Sequence, residues 1–241
     1  MAILSRARGY LFLMAPRTGC TAIGERVLIP MLDGAYLPAD DVVGPDGGTV
    51  LPKKHTTLQQ LLQAGALTAA ERRGLLTFTT VRNPFDSLVS QYVKMRSKYV
   101  PLLDDPDSFV HRTPQYLESM RRAADMDFED WVRARYVGRS WRQVTRRSTV
   151  RSPLRWLLSG WAGPRHMYGE FIRDADVVMR YEQLQDDFDA VLARLGVQPI
   201  AIPTWNVTEE KGDYRSYYTP SARRLVEHVF RPDLDRFGYD F

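Results

Sequence analysis

The apolar run Tyr10-Leu-Phe-Leu-Met-Ala15 is short and unbroken, the pattern of a strand buried on both faces. A polar turn follows, Pro16-Arg-Thr-Gly-Cys-Thr21, and then Ala22 to Ile29 carries apolar residues at helical spacing. The order is strand, tight turn, helix. Residues 33 to 52, rich in Gly, Pro and Asp, read as loop. Thr56 reads as the cap of a helix through Leu58, Leu61 and Leu62. Leu75 to Val81 predicts a second strand, which runs straight into Arg82-Asn-Pro-Phe-Asp86. Pro84 suits the first turn of a helix with Leu88, Tyr92 and Met95 on one face. Residues 99 to 130 read as mixed and loop-rich. Ala175 to Arg180 predicts a third strand, followed by a helix through Leu184, Phe188, Val191, Leu192 and Leu195 that Gly196 ends. Thr219-Pro220 opens a last helix through Leu225, Val226 and Val229. Strands alternating with helices predict an α/β fold around a parallel sheet, as one domain over residues 1–241.

Composition narrows the class. The 241 residues are 44% hydrophobic and 26% charged, the balance of a globular chain and not of a disordered one. The net charge of +4 suits an anionic ligand without requiring nucleic acid. One cysteine, Cys20, forms no internal disulfide and argues for a reducing, cytoplasmic compartment. The four His and one Cys lack the spacing of a zinc site, so no metal is expected. No apolar run approaches the ~18 residues of a membrane span.

Two turns carry the chemistry. Backbone N–H groups at a strand-to-helix turn converge on one spot, and the helix dipole adds partial positive charge there. At Pro16 to Thr21, Gly19 allows close approach to a ligand, Thr18 and Thr21 offer hydroxyls, and Arg17 can donate two parallel hydrogen bonds to an oxyanion. No Gly-Lys-Ser/Thr follows the first strand, which argues against a nucleoside triphosphate loop. The second turn places Arg82 at a strand end and Ser90 about two helical turns later, so that both can meet one anion beside the carboxyl edge of the sheet.

Two anion sites on adjacent turns suit a ligand with two separated phosphate-like groups. The pair resembles the cofactor motifs of sulfotransferases that use 3′-phosphoadenosine-5′-phosphosulfate (PAPS), in the carbohydrate-type and bacterial branch. Pro16-Arg-Thr-Gly-Cys-Thr21 is similar to that family's Pro-Lys-(Thr/Ser)-Gly-Thr-Thr, and Arg82 to Ser90 matches its Arg-Asn-Pro-x-Asp-x-x-x-Ser. Arg180-Tyr-Glu-Gln-Leu184 resembles its Arg-(Phe/Tyr)-Glu-x-Leu segment, and Phe237-Gly-Tyr239 resembles its tails. The resemblance implies a P-loop-kinase-like three-layer fold. It also implies that Arg17, Thr18, Gly19, Cys20, Thr21 and Ala22 hold the 5′-phosphosulfate, and Arg82 and Ser90 the 3′-phosphate. Lys211-Gly212 stands where many members place a Lys-Gly pair that reaches the same phosphate. Arg17 departs from the usual Lys, which stabilises charge on the leaving oxygen. Arg supplies the same charge through a planar fork, so either the enzyme works with Arg or the site is slow or degenerate.

Transfer needs a group that takes the acceptor's proton. His55, in Lys53-Lys-His-Thr-Thr57, is the only His between the two motifs. Its cationic neighbours Lys53 and Lys54 disfavour a third positive charge, which keeps the imidazole able to accept a proton. Asp40 and Asp41 are the fallback bases. From Trp131 to His166 the chain carries nine Arg and no acid, interleaved with four Trp. Such a segment suits either a solvated face or a surface for an anionic or membrane-proximal acceptor. The reading is a PAPS-dependent sulfotransferase, with adenosine 3′,5′-bisphosphate (PAP) as product and a hydroxyl on a carbohydrate, lipid-linked or small molecule as acceptor. Its rivals are a small-molecule or nucleotide kinase of related fold and a non-catalytic anion-binding module.

Overall fold

The computed structural model describes residues 2–44, 49–53, 55–106, 108, 114–137, 163–205 and 211–241. The chain forms two compact units, Met1–Arg82 with Tyr168–Val207, and Asn83–Met167 with Thr208–Phe241. Most of the Trp/Arg segment, residues 138–162, lies outside the described residues, and so does Lys54.

The first unit is built on a five-stranded sheet in the order β3-β1-β2-β6-β7. Its strands are β1 (Ala2–Ser5), β2 (Tyr10–Leu13), β3 (Ala35–Leu37), β6 (Leu76–Val81) and β7 (Val177–Arg180). The short strands β4 (Val42–Val43) and β5 (Thr49–Leu51) pair only with each other. β2, β6 and β7 run parallel, with Phe12 opposite Phe78 and Phe78 opposite Val177. β1 and β3 extend the sheet antiparallel, with Ile3 opposite Phe12 and Tyr36. The fold is thus α/β, with a mixed sheet whose parallel half carries the expected strands.

Alternation along the strands explains the layers. Tyr10, Phe12, Met14, Phe78 and Met179 pack with Cys20, Ile23, Val27 and Leu28, and with Phe188, Val191 and Leu192 of helix Leu184–Arg194. Leu11, Leu13 and Leu4 face the other way, onto Leu58 and Leu61 of α3 (Leu58–Gln63). The helix after the first turn is continuous, as α1 (Cys20–Ile23), a π-helical stretch (Gly24–Leu28) and α2 (Ile29–Met31).

Several elements differ from the sequence reading. β1 precedes the run taken as the first strand, since its four residues beside Arg6 and Arg8 are too few to show a period. Residues 33 to 52 hold β3, β4 and β5 and are not all loop. The cap of α3 is Thr57, one residue on from Thr56, and it forms a capping box with Gln60. The Thr56 hydroxyl instead donates to the Pro52 carbonyl. A second capping box, Thr68 with Glu71, opens the unexpected α4 (Ala69–Arg73).

The second unit is helical. α5 (Pro84–Lys94) begins where expected, capped by Asn83, whose Oδ1 accepts from Phe85 N at 3.0 Å. The stretch read as loop-rich contains α6 (Pro114–Asp125) and the start of α7 (Phe128–Tyr136). Their burial explains them, since Met120, Ala123, Phe128, Trp131 and Val132 join Phe85, Leu88, Leu225 and Val229 in one core. Trp131, the first Trp of the Trp/Arg segment, is a core residue at 1% exposure. Thr219 caps helix Pro220–Val229 as expected, and a further helix follows at Arg231–Phe237.

Candidate functional site

The parallel pairing of β2, β6 and β7 brings Leu13, Val81 and Arg180 to one edge of the first unit's sheet. The turn after β2 leaves that edge with alternating handedness. Arg17 has φ 67° and Gly19 φ 74°, with Thr18 at negative φ between them. Alternation of this kind converges successive N–H groups into an anion-binding nest. The helix that starts at Cys20 adds its dipole. Holding a residue with a side chain at positive φ costs about 1–2 kcal/mol, so Arg17 is a strained position within the turn. A side chain at Gly19 would be strained, because it would sit at positive φ and its Cβ would lie 2.9 Å from Leu184 Cδ2 and 3.3 Å from the Tyr181 ring.

The turn's side chains divide into those turned inward and those at the rim. Thr18 is fully buried, and its hydroxyl donates to the Ala15 carbonyl at 2.9 Å. The Thr80 hydroxyl, 2.5 Å away, must then donate to Thr18. Thr18 therefore offers a ligand only its backbone N–H, which corrects the expectation of a hydroxyl contact. The Ala22 N–H is likewise engaged, by the Gly19 carbonyl at 3.0 Å. Cys20 is buried, and burial pushes its thiol pKa up, so it stays a neutral packing group. Arg17 and Thr21 are half-buried.

Arg82, at the end of β6, is 9% exposed. Its Nη1 donates to the Arg17 carbonyl at 3.1 Å, and its guanidinium lies 4.0 Å from the Tyr181 ring centroid. Tyr181 thus touches both motifs of the unit, packing beside Gly19 and under Arg82. Sequence reasoning missed that role. The signal available was the position of Tyr181 directly after a parallel strand, at the edge where such sheets bind ligands.

His55 is exposed at φ 59°. Its Nδ1 lies 2.9 Å from the Met14 carbonyl, the residue after β2. A carbonyl only accepts, so Nδ1 carries the hydrogen, and in the neutral ring Nε2 holds the lone pair. The fallback bases serve the same loop. Asp40 pairs with Lys53 Nζ at 3.1 Å, and Asp41 accepts from Lys53 N at 2.5 Å. The Lys53 charge expected to act on His55 is therefore compensated by Asp40.

The remaining residues belong to the second unit. Ser90 lies on α5 at 1% exposure, four residues and so one turn after Asp86. Lys211 forms a close ion pair with Asp86, and the two side chains are 13% and 14% exposed. That pair puts Lys211 on the α5 face that Asp86 and Ser90 share. Gly212 has φ 60° with open space where a Cβ would stand. Arg82 closes the first unit and Ser90 lies within the second.

Among the described residues, no group of three or more His, Cys, Asp or Glu could hold a metal ion. No helix among them is long and apolar enough to cross a membrane. The model of the sulfotransferase family matches residues 12–240, which contain both motifs and His55. No curated protein and no solved structure matches the chain.

Proposed function

The chain belongs to the sulfotransferase family, and we propose that it moves a sulfuryl group from PAPS to an acceptor hydroxyl by in-line displacement. The observation that carries the reading is the Arg17–Gly19 nest with Arg82 fixed on the Arg17 carbonyl. Backbone donors and two guanidiniums within one unit suit a doubly anionic nucleotide, and the donor set fits PAPS. When bound, PAPS supplies the sulfuryl group and departs as PAP.

The chain's residues divide the work. The N–H groups of the nest and of Cys20 and Thr21 bind the 5′-phosphosulfate, and Arg17 stabilises negative charge at the leaving oxygen. Arg82 and Ser90 bind the 3′-phosphate. Lys211 with Gly212 joins them once the phosphate competes with Asp86 for its ammonium. His55 Nε2 takes the acceptor proton, while Nδ1, donating to Met14, keeps that nitrogen basic and aimed. Catalysis then rests on positioning and charge stabilisation. The acceptor is a hydroxyl on a carbohydrate, lipid-linked or small molecule. One family match across both units supports reading them as one sulfotransferase domain. The single cysteine supports a cytoplasmic setting, with the membrane surface as the alternative placement.

Incubation with sulfur-labelled PAPS and an extract of the source cell tests the reading. Labelled product and stoichiometric PAP are expected. Phosphoryl transfer from ATP with Mg²⁺, and none of sulfate from PAPS, would overturn it in favour of a kinase.

A further inference from the structure

Tyr181 owes its place to strand register. β6 and β7 pair in parallel as far as Val81 opposite Arg180, so the next residues, Arg82 and Tyr181, leave the sheet side by side. A short 3-10 turn, Tyr181–Gln183, then leads into helix Leu184–Arg194. Asp187 of that helix accepts a hydrogen bond from Arg180 N at 2.6 Å, which fixes the main chain directly before Tyr181. The side chain makes two contacts. Its Cδ2 and Cε2 lie 3.3 Å from where a Gly19 Cβ would stand, and its ring centroid lies 4.0 Å from the Arg82 guanidinium carbon above it. The ring makes both contacts, and the hydroxyl makes neither.

Two restraints therefore act on one guanidinium. The ring limits its tilt, and the hydrogen bond from Nη1 to the Arg17 carbonyl, at 3.1 Å, limits its rotation. Arg82 is 9% exposed, and a cation is held more strongly against an aromatic face when water is excluded. A guanidinium donates to a phosphate through a planar fork, so recognition depends on the direction of the fork as well as on its charge. The nest has supports of its own. Thr18 Oγ1 donates to the Ala15 carbonyl at 2.9 Å and lies 2.5 Å from Thr80 Oγ1, which ties the turn to β6 without Tyr181. A substitution at Tyr181 therefore acts first on Arg82 and only secondarily on the turn.

Resting on the proposed reading of the nucleotide site, we infer that Tyr181 is a positioning residue for the 3′-phosphate. Its ring holds the Arg82 fork in the direction that makes the chain prefer a nucleoside 3′,5′-bisphosphate to a 5′-monophosphate. Tyr181 acts through Arg82 and does not itself touch the phosphate.

The test is calorimetry of the full chain with PAP and with AMP, read as the ratio of the two affinities. Wild type should prefer PAP by about tenfold or more, the scale of a charge-assisted contact to one phosphate. Tyr181→Leu should shrink that ratio by about fivefold, the scale of a desolvated contact between cation and ring, while AMP affinity stays within about twofold. Tyr181→Phe keeps the ring and should restore the wild-type ratio. In an Arg82→Ala background, Tyr181→Leu should leave the ratio within about twofold, because the two side chains act as one unit. Tyr181→Met is run in parallel, since its flexible side chain fills the same space, and the same outcomes are read from it if the Leu variant does not fold. An unchanged ratio in the Leu and Met variants overturns the inference. Equal loss of PAP and AMP also overturns it, because the ring would then only hold up the turn. A Phe variant as poor as Leu would mean that the hydroxyl meets the ligand directly, and a further loss of ratio without Arg82 would mean the same of the side chain as a whole. Either result overturns the positioning role. Equal affinity of wild type for PAP and AMP instead overturns the reading of the nucleotide site, and that failure is seen before any variant is compared.

Discussion

Arg82 donates a hydrogen bond to the backbone carbonyl of Arg17, at 3.1 Å between Nη1 and oxygen. The relationship joins the two motifs through main chain. Arg17 adopts positive φ, its carbonyl is claimed by Arg82, and the guanidinium of Arg82 rests on Tyr181. A strained backbone position with a cation fixed on it suits the proposed anion site, since its donors would not need to be assembled when a ligand arrives.

Arg82→Ala should weaken PAP binding by about 2–4 kcal/mol, the scale of removing a desolvated charge partner. Calorimetry of wild type should rank PAP above AMP and ATP, because a 3′-phosphate is what Arg82 and Ser90 are proposed to read. Arg82→Lys should recover part of the loss, as it keeps charge but gives up the fork and the planar stack on Tyr181. Equal affinity of wild type for PAP and AMP would remove the assignment.

His55→Ala should lower turnover by ~10²–10⁴ while PAP affinity stays within about twofold. Arg17→Ala should cost ~10²–10³ in turnover, the scale of one lost charge-stabilising donor. Arg17→Lys should remain within about tenfold of wild type, since the ammonium can serve the same oxygen. A His55 variant near wild-type rate would transfer the base to Asp40 or Asp41, whose present contacts are with Lys53.

The parts of this site that were legible in the sequence are those in which a residue type has one use. An unbroken apolar run reads as a buried strand, and Tyr10 to Leu13 is one. Pro84 reads as a helix start, and Asn83 caps there. Where spacing has nothing to repeat, the reading fails. β1, β3, β4 and β5 have two to four residues each, too few for a period of two. α6 was hidden because, among its described side chains, only Met120 and Ala123 are buried, and tertiary packing around them is what reveals its inner face. Tyr181 and the φ of Arg17 are facts of three-dimensional placement, and no neighbour in sequence announces them. The Thr18 hydroxyl misled for the opposite reason, since an apt ligand donor turned out to be a structural one bonded to Ala15.

Gly19→Ala should destabilise the chain by roughly 1–3 kcal/mol and impair PAP binding together. The new Cβ meets positive φ, Leu184 and Tyr181 at once. Gly212→Ala is the control, because Gly212 also has positive φ, at 60°, but finds open space. Thermal unfolding should fall further for the first than for the second. Equal losses would mean that φ alone matters and that packing of Tyr181 against the turn contributes nothing.

Acid should weaken the second unit through Glu129. Desolvation raises its pKa, but hydrogen bonds from Thr219 and Arg133, the Arg133 charge and Ser221 outweigh it and leave the carboxyl below its usual value. The bonds measure 2.6 Å from Thr219 Oγ1 and 2.8 Å from Arg133 Nε, and they tie α7 to the capping residue of helix Pro220–Val229. A lowered folded pKa contributes stability above the unfolded value of about 4.3, and that stability is lost as pH falls through the folded value. Glu129→Gln should therefore be less stable than wild type at pH 7, and the gap should close on acidification toward pH ~3. Asp233 in the same unit has the opposite sign, because burial raises its pKa above the usual carboxylate value despite the Met167 N–H and His166. Its contribution is present below the unfolded value of about 3.9 and is lost as pH rises through the folded one. The wild-type curve mixes the two slopes, so the quantity to measure is the difference in urea midpoint between wild type and Glu129→Gln at pH 7, 5 and 3. A gap that holds constant across that range would show that ionisation of Glu129 does not contribute to stability and would overturn this prediction.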